Sequence, residues 1–70
     1  MRRSVVRLTE HETARVQQLR AQVGMREAAR RLRVGHDTLY RAVEGRTLYP
    51  STAVAIRMAL DLAGVEEPQS

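Results

Sequence analysis

Cysteine and lysine are both missing from this 70-residue chain, and no apolar run approaches the length of a membrane span. Without cysteine there is no disulfide framework and no thiolate metal site, which fits a reducing cytoplasm. The two histidines, His11 and His36, are far apart and have no acidic or cysteine cluster at ligand spacing, so no metal site is expected. Arg2 and Arg3 near the N-terminus are not followed by an apolar stretch, so neither a signal peptide nor a membrane partner is expected. No nucleophile–base pair, carboxylate dyad or glycine-rich phosphate loop occurs, and a chain this short has too small a core to shape a pocket. The expectation is a protein that is not an enzyme, with no cofactor and no small-molecule effector. Repeats, low-complexity tracts and linkers are also missing, which points to one domain over residues 1–70: an arm at 1–8, a helical core at 9–63 and a tail at 64–70.

Charge is the informative bulk property. Twelve basic residues, all arginine, face eight acidic ones, giving a net charge of +4 and a pI near 11.0. The net charge, rather than the choice of arginine over lysine, makes nucleic acid the leading partner and an anionic membrane surface a distant second.

Along the chain, "MRRSVVRL" alternates weakly and reads as an arm or a short strand. Thr9 followed by Glu12 is a capping box, so a helix should run from about Glu10 to Gln22, with Val16, Leu19 and Val23 at helical spacing. Gly24 can end that helix in a left-handed conformation and also start the next. A second helix, about Met25 to Arg33, sets Met25, Ala28, Ala29 and Leu32 on one stripe, its two alanines allowing close approach by a crossing helix. Glu27 lies where the helix dipole favours negative charge. Val34 then plugs a turn and Gly35 caps a third helix, about His36 to Glu44. That helix turns Leu39, Ala42 and Val43 inward and Asp37, Tyr40, Arg41 and Glu44 outward. Gly45 stops it. In the loop "GRTLYPS", Leu48 should dip into the core while Pro50 forces an extended entry. Ser51 is the expected cap of a fourth helix, about Thr52 to Ala63, with Gly64 as its stop.

The fourth helix is apolar on two sides. Ala53, Ile56, Ala59, Leu60 and Ala63 form one stripe; Val54, Met58, Leu62 and Val65 form another, nearly opposite. Arg57 and Asp61, spaced as an i, i+4 pair, interrupt them on one side. Such a helix must be buried on both stripes. Either "VVRL" folds over the second stripe or another copy of the protein does, and twofold self-association being the commonest oligomer favours a homodimer.

The stretch "REAARRLRVGHDTLYRAVEGR" resembles the helix-turn-helix of the phage repressor and Cro family, the lambda-repressor-like DNA-binding domains. Ala29 matches the small residue of the first helix, Val34 the turn, Leu39 the buried residue of the recognition helix and Gly45 its stop. "LYPSTAVAIRMAL" is similar to the loop and helix that follow in that family, so the resemblance spans about Gly24 to Ala63. It departs in having Arg33 where glycine is usual, Gly24 and Gly35 in place of Ser or Thr caps, and Met25 in place of a phosphate-contacting glutamine. No fifth helix or effector domain is seen after Ala63.

The resemblance implies an all-α, four-helix domain with the third helix in the major groove of double-stranded DNA. His36, Asp37, Tyr40 and Arg41 would then face base edges. Arg41 can bond guanine O6 and N7 together. Asp37, one turn earlier, can hold that guanidinium or accept from a cytosine amino group, or simply sit at the positive end of the helix dipole. Tyr40 can pack on a thymine methyl or bond a phosphate. Phosphate contacts would come from Arg26, the Gly35 amide region, Arg46, Thr47 and Tyr49. Arg30 and Arg33 are further backbone candidates, and Arg2 and Arg3 an arm for the adjacent minor groove. The function expected is a sequence-specific transcriptional regulator, a Cro-like or autoregulating repressor that reads an inverted repeat as a homodimer in the cytoplasm. The alternatives are an antitoxin-type DNA-binding and protein-interaction module and an excisionase-like accessory factor.

Overall fold

A computed structural model describes residues 4–64, and over them the chain is all helical. The order is α1 (Glu10–Val23), α2 (Met25–Leu32), α3 (His36–Val43) and α4 (Pro50–Leu62). Among the described residues the extended segments contribute one isolated antiparallel bridge, Val6 to Leu48. The readings placed on Arg2, Arg3 and Val65 lie outside the described residues.

α1 begins with the capping box the sequence encodes. The Glu12 N–H donates to Thr9 Oγ1 at 3.1 Å, and the Thr9 N–H donates to Glu12 Oε1 at 2.8 Å. Its buried side chains are Val16 and Leu19, with Val23 half-buried against the core. Gly24 follows at φ 86°, ψ 166°, so it has positive φ but an extended ψ instead of the left-handed helical conformation expected of it. Essentially only glycine occupies that region. There its N–H closes α1 on the Arg20 carbonyl at 2.8 Å, while its own carbonyl accepts from the Ala28 N–H at 2.9 Å and opens α2.

α2 stops one residue earlier than its periodicity predicts, because Arg33 leaves the helix for the left-handed region at φ 57°, ψ 43°. The Arg33 N–H donates to the Arg30 carbonyl at 3.2 Å and the Val34 N–H to the Ala29 carbonyl at 3.0 Å. These two bonds are a Schellman termination, built on arginine where glycine is usual. The turn that follows is only Arg33, Val34 and Gly35 before α3 begins, and Val34 packs against the core. α3 ends in a second Schellman pair, Gly45 N–H to Ala42 at 3.2 Å and Arg46 N–H to Arg41 at 2.8 Å, with Gly45 at φ 72°. Gln17 of α1 donates from Nε2 to the Val43 carbonyl at 2.9 Å, satisfying a terminal acceptor of α3 and tying it to α1.

α4 does not start at a Ser51 cap. Pro50 occupies the first turn, Tyr49 is the N-cap with no capping hydrogen bond from its side chain, and Ser51 is exposed. Proline suits that place because its missing N–H would be unpaired there and its φ is already helical. The helix ends at Leu62, with Ala63 as its C-cap and Gly64 at φ 68° donating to the Asp61 carbonyl at 3.2 Å.

α1 and α2 form the centre of the fold. α3 packs on both, α4 packs on both, and α3 and α4 do not pack on each other. Leu19, Leu32, Leu39, Ile56, Leu60 and Val16 are fully buried where the four meet. Each such side chain contributes roughly 1.5–3 kcal/mol of apolar transfer free energy. Leu48 is buried as expected, and its N–H and carbonyl pair with Val6 at 2.6 and 2.8 Å. Leu8 is also in the core while Val5 stays exposed, so "VVRL" braces the loop before α4 and leaves the second stripe of α4 bare.

Two ion pairs join α1 to α4, where the sequence reading paired Arg57 with Asp61 along one helix. Arg57 bonds Glu12, and Asp61 accepts from Arg15 Nη2 at 2.9 Å. Tertiary packing brings α1 alongside, and its charges offer each residue a partner the i, i+4 rule cannot foresee. Burial pushes the Glu12 carboxyl up, but hydrogen bonds from Arg57 and Thr9, with the attraction of the Arg57 charge, hold it below the usual 4.5. No helix among the described residues is long and apolar enough to cross a membrane.

Candidate nucleic-acid interface

α3 is buried along one side only. Leu39 and Ala42 are sealed in the core and fix the rotation of the helix about its axis. Residues on the side of the helix away from that stripe then point outward. His36, Asp37, Tyr40 and Arg41 are accordingly all exposed, Tyr40 by 56%. Gly35 caps α3 at φ −74°, ψ 165° with no side-chain bond, so the first-turn amides keep the partial positive charge of a helix start. Asp37 lies in that first turn. Its carboxylate makes no bond to Arg41 among the described residues, which leaves it open to accept from a base as well as to sit at the positive end of the helix dipole.

The space between α3 and the start of α4 is a cleft of about 390 Å³. Asp37, Thr38 and Arg41 line it from α3, and Thr47, Tyr49 and Thr52 from the loop and α4. Val5 borders it too, so the N-terminal segment reaches the same side of the molecule. Two residues assigned to base reading therefore share one surface with two assigned to phosphate, though 37 and 49 are a dozen positions apart. Thr38 and Thr52 were not singled out by the sequence reading. Both residues are half-buried and line the cleft. The signal for them is positional: Thr38 sits one turn before Arg41, and Thr52 one turn after Leu48.

Other candidate cations are more engaged than their spacing suggested. Arg46 is exposed but paired with Glu44 at 3.1 Å. Glu27 holds both Arg30 at 3.3 Å and Arg31 at 2.9 Å, and these contacts, Arg31 foremost, keep the Glu27 carboxyl below its ordinary value. Arg33 lies by the outer side of α4, away from the cleft, beside Ala55, Met58 and Leu62. Arg26 is exposed in the first turn of α2. No group of three or more histidine, cysteine or acidic side chains that could hold a metal is found among the described residues.

The surface thus offers a guanidinium, a carboxylate, an imidazole and a phenol on one short helix, the first two sharing a cleft with hydroxyl-bearing residues. That set can hydrogen-bond base edges from the helix and phosphate oxygens from the flanking loop. Set against family models, curated proteins and solved structures, the chain finds no match in any of the three.

Proposed function

We propose that the protein is a sequence-specific double-stranded DNA-binding regulator. In this reading α2, the turn and α3 are a helix-turn-helix of the lambda-repressor-like kind, and α3 is the helix that enters the major groove. One observation carries it. α3 is a separate eight-residue rod whose buried Leu39 and Ala42 leave Asp37, Tyr40 and Arg41 exposed, with Asp37 and Arg41 lining one cleft together with Thr47 and Tyr49. The net charge of +4 supports attraction to a polyanion. The protein acts by occupying DNA and not by catalysis, so its output is set by its own concentration or by a partner.

The test is selection of binding sites from random duplexes, followed by a footprint on the DNA upstream of the protein's own gene. A defined protected sequence, with affinity falling steeply as salt rises, is the expected result. Failure to bind any duplex at low salt overturns the reading. A toxin-like reading frame beside the gene would move it toward an antitoxin, and strong bending of clustered sites toward an excisionase-like factor.

A further inference from the structure

A trough of about 540 Å³ lies between the end of α2 and the second half of α4. From α4 it is lined by Ala55, Met58, Ala59 and Leu62, and from α2 by Leu32. Leu32 is sealed, but Met58 and Leu62 are 61% and 87% exposed, which leaves a large apolar surface uncovered. The two alanines, spaced four apart, make the hollow, because nothing longer than a methyl group fills their side of the helix. Both charged residues of α4 turn to α1, Arg57 to Glu12 and Asp61 to Arg15, so α4 brings no charge to the trough.

The charge comes from Arg31 and Arg33, and no acidic residue lines the trough. Arg31 shares the Glu27 carboxylate with Arg30, so one anion answers two guanidiniums. Arg33 is exposed and pairs with no acidic residue among the described ones. It also has no part in the cleft beside α3. Its backbone is left-handed at φ 57°, a place where glycine would sit without strain. Strain of this kind gathers at ligand clamps, and here it sets an unpaired cation beside an apolar groove.

We propose that the trough binds an amphipathic helix of another protein, with its apolar stripe along α4 and an acidic flank on Arg33 and Arg31. From Ala55 to Leu62 α4 rises about 10 Å, which matches two turns of a partner helix with anchors at i, i+4 and i+7. Charge complementarity selects this occupant. A second copy placed here about a twofold axis would bring the same two guanidiniums and no carboxylate from its own trough. The chain's N-terminal segment is committed elsewhere, since Val6 is bonded to Leu48 and Leu8 is in the core. The inference goes beyond the proposed function and does not depend on it. The trough and the cleft beside α3 have no residue in common, so a partner held here leaves the exposed side of α3 open.

The experiment is selection, against the full chain, from a displayed library of helices with leucine at i, i+4 and i+7 and randomised flanks. Enriched peptides are then measured by fluorescence anisotropy on wild type, Arg33→Gly and Ala55→Leu. Both positions are exposed, and circular dichroism checks that the fold is kept. Enriched flanks should be rich in Asp and Glu, and changing these to Lys should weaken binding to wild type at least about tenfold. Arg33→Gly should weaken the acidic peptide about fivefold and narrow its advantage over the Lys version. Ala55→Leu fills the hollow and should weaken both peptides at least about tenfold. No enrichment, or enrichment of neutral or basic flanks, overturns the proposal. So does a peptide that binds all three proteins alike. Nuclear Overhauser contacts that show the trough of the free chain filled by residues 65–70 or by a second copy overturn it too. Peptide binding without DNA binding would sink the proposed function and leave this site standing, and DNA binding without peptide binding would do the reverse.

Discussion

Arg57 of α4 is bonded to Glu12 of α1, forty-five positions earlier, and not to Asp61 one turn along its own helix. Glu12 is thereby engaged twice, since the same carboxylate completes the capping box with Thr9. The substitution Glu12→Gln keeps the capping geometry and removes the charge. It should cost roughly 0.5–1 kcal/mol at neutral pH, a modest figure because Arg57 is partly in solvent. The Glu12 carboxyl is held below 4.5 in the folded chain, so its contribution is fully present above that value. It is lost as pH falls through the lowered folded value. Urea unfolding across pH 2–7 should show the two proteins converging at the acid end. A constant offset at every pH would be the contrary result.

Arg33 holds a left-handed backbone that costs a residue with a side chain roughly 1 kcal/mol. Arg33→Gly should relieve that strain without disturbing the two hydrogen bonds that end α2. Thermal melts should rise by several degrees. A lower melting temperature would mean that the arginine stem contributes more packing than its backbone loses.

Leu39 and Tyr40 are neighbours on α3 with opposite surroundings, one fully buried and the other 56% exposed. Leu39→Ala should lose about 2–5 kcal/mol, enough to unfold much of so small a domain. Tyr40→Ala should stay within about 0.5 kcal/mol of the parent. Chemical denaturation measures both. If Tyr40→Ala were the more damaging, the orientation of α3 described above would be wrong.

On the proposed function, Arg41→Ala and Glu44→Gln should act in opposite senses. Arg41→Ala should cost roughly 1–3 kcal/mol and blur preference at one base position. Glu44→Gln releases Arg46 from its 3.1 Å pairing and removes a charge repelled by phosphate, so every sequence should bind several-fold tighter at low salt. Fluorescence anisotropy over a salt series would separate the two. Equal loss in both would argue against a split between base-reading and backbone-facing residues.

What could be read in the sequence was local. The Thr9–Glu12 box, the caps at Gly24 and Gly35, the plug at Val34 and the outward set on α3 each depend on spacing within one or two turns. The departures arose where a distant element decides. Ser51 is a better capping side chain than Tyr49, but Pro50 sets the helical φ one residue sooner and α4 starts there. Arg57 and Asp61 match an i, i+4 pair, yet Glu12 and Arg15 lie across from them once α1 and α4 are packed. The fate of "VVRL" turned on a bridge to Leu48, which no periodicity over eight residues could indicate. The cleft beside α3 was illegible for the same reason, since its walls come from three separate stretches of chain.

Because α3 and α4 each lean on α1 and α2 but not on one another, changes on their outer sides should add with little coupling. On the proposed function, substitutions at 36, 37, 40 and 41 could therefore change what α3 reads while leaving the packing of α4 untouched.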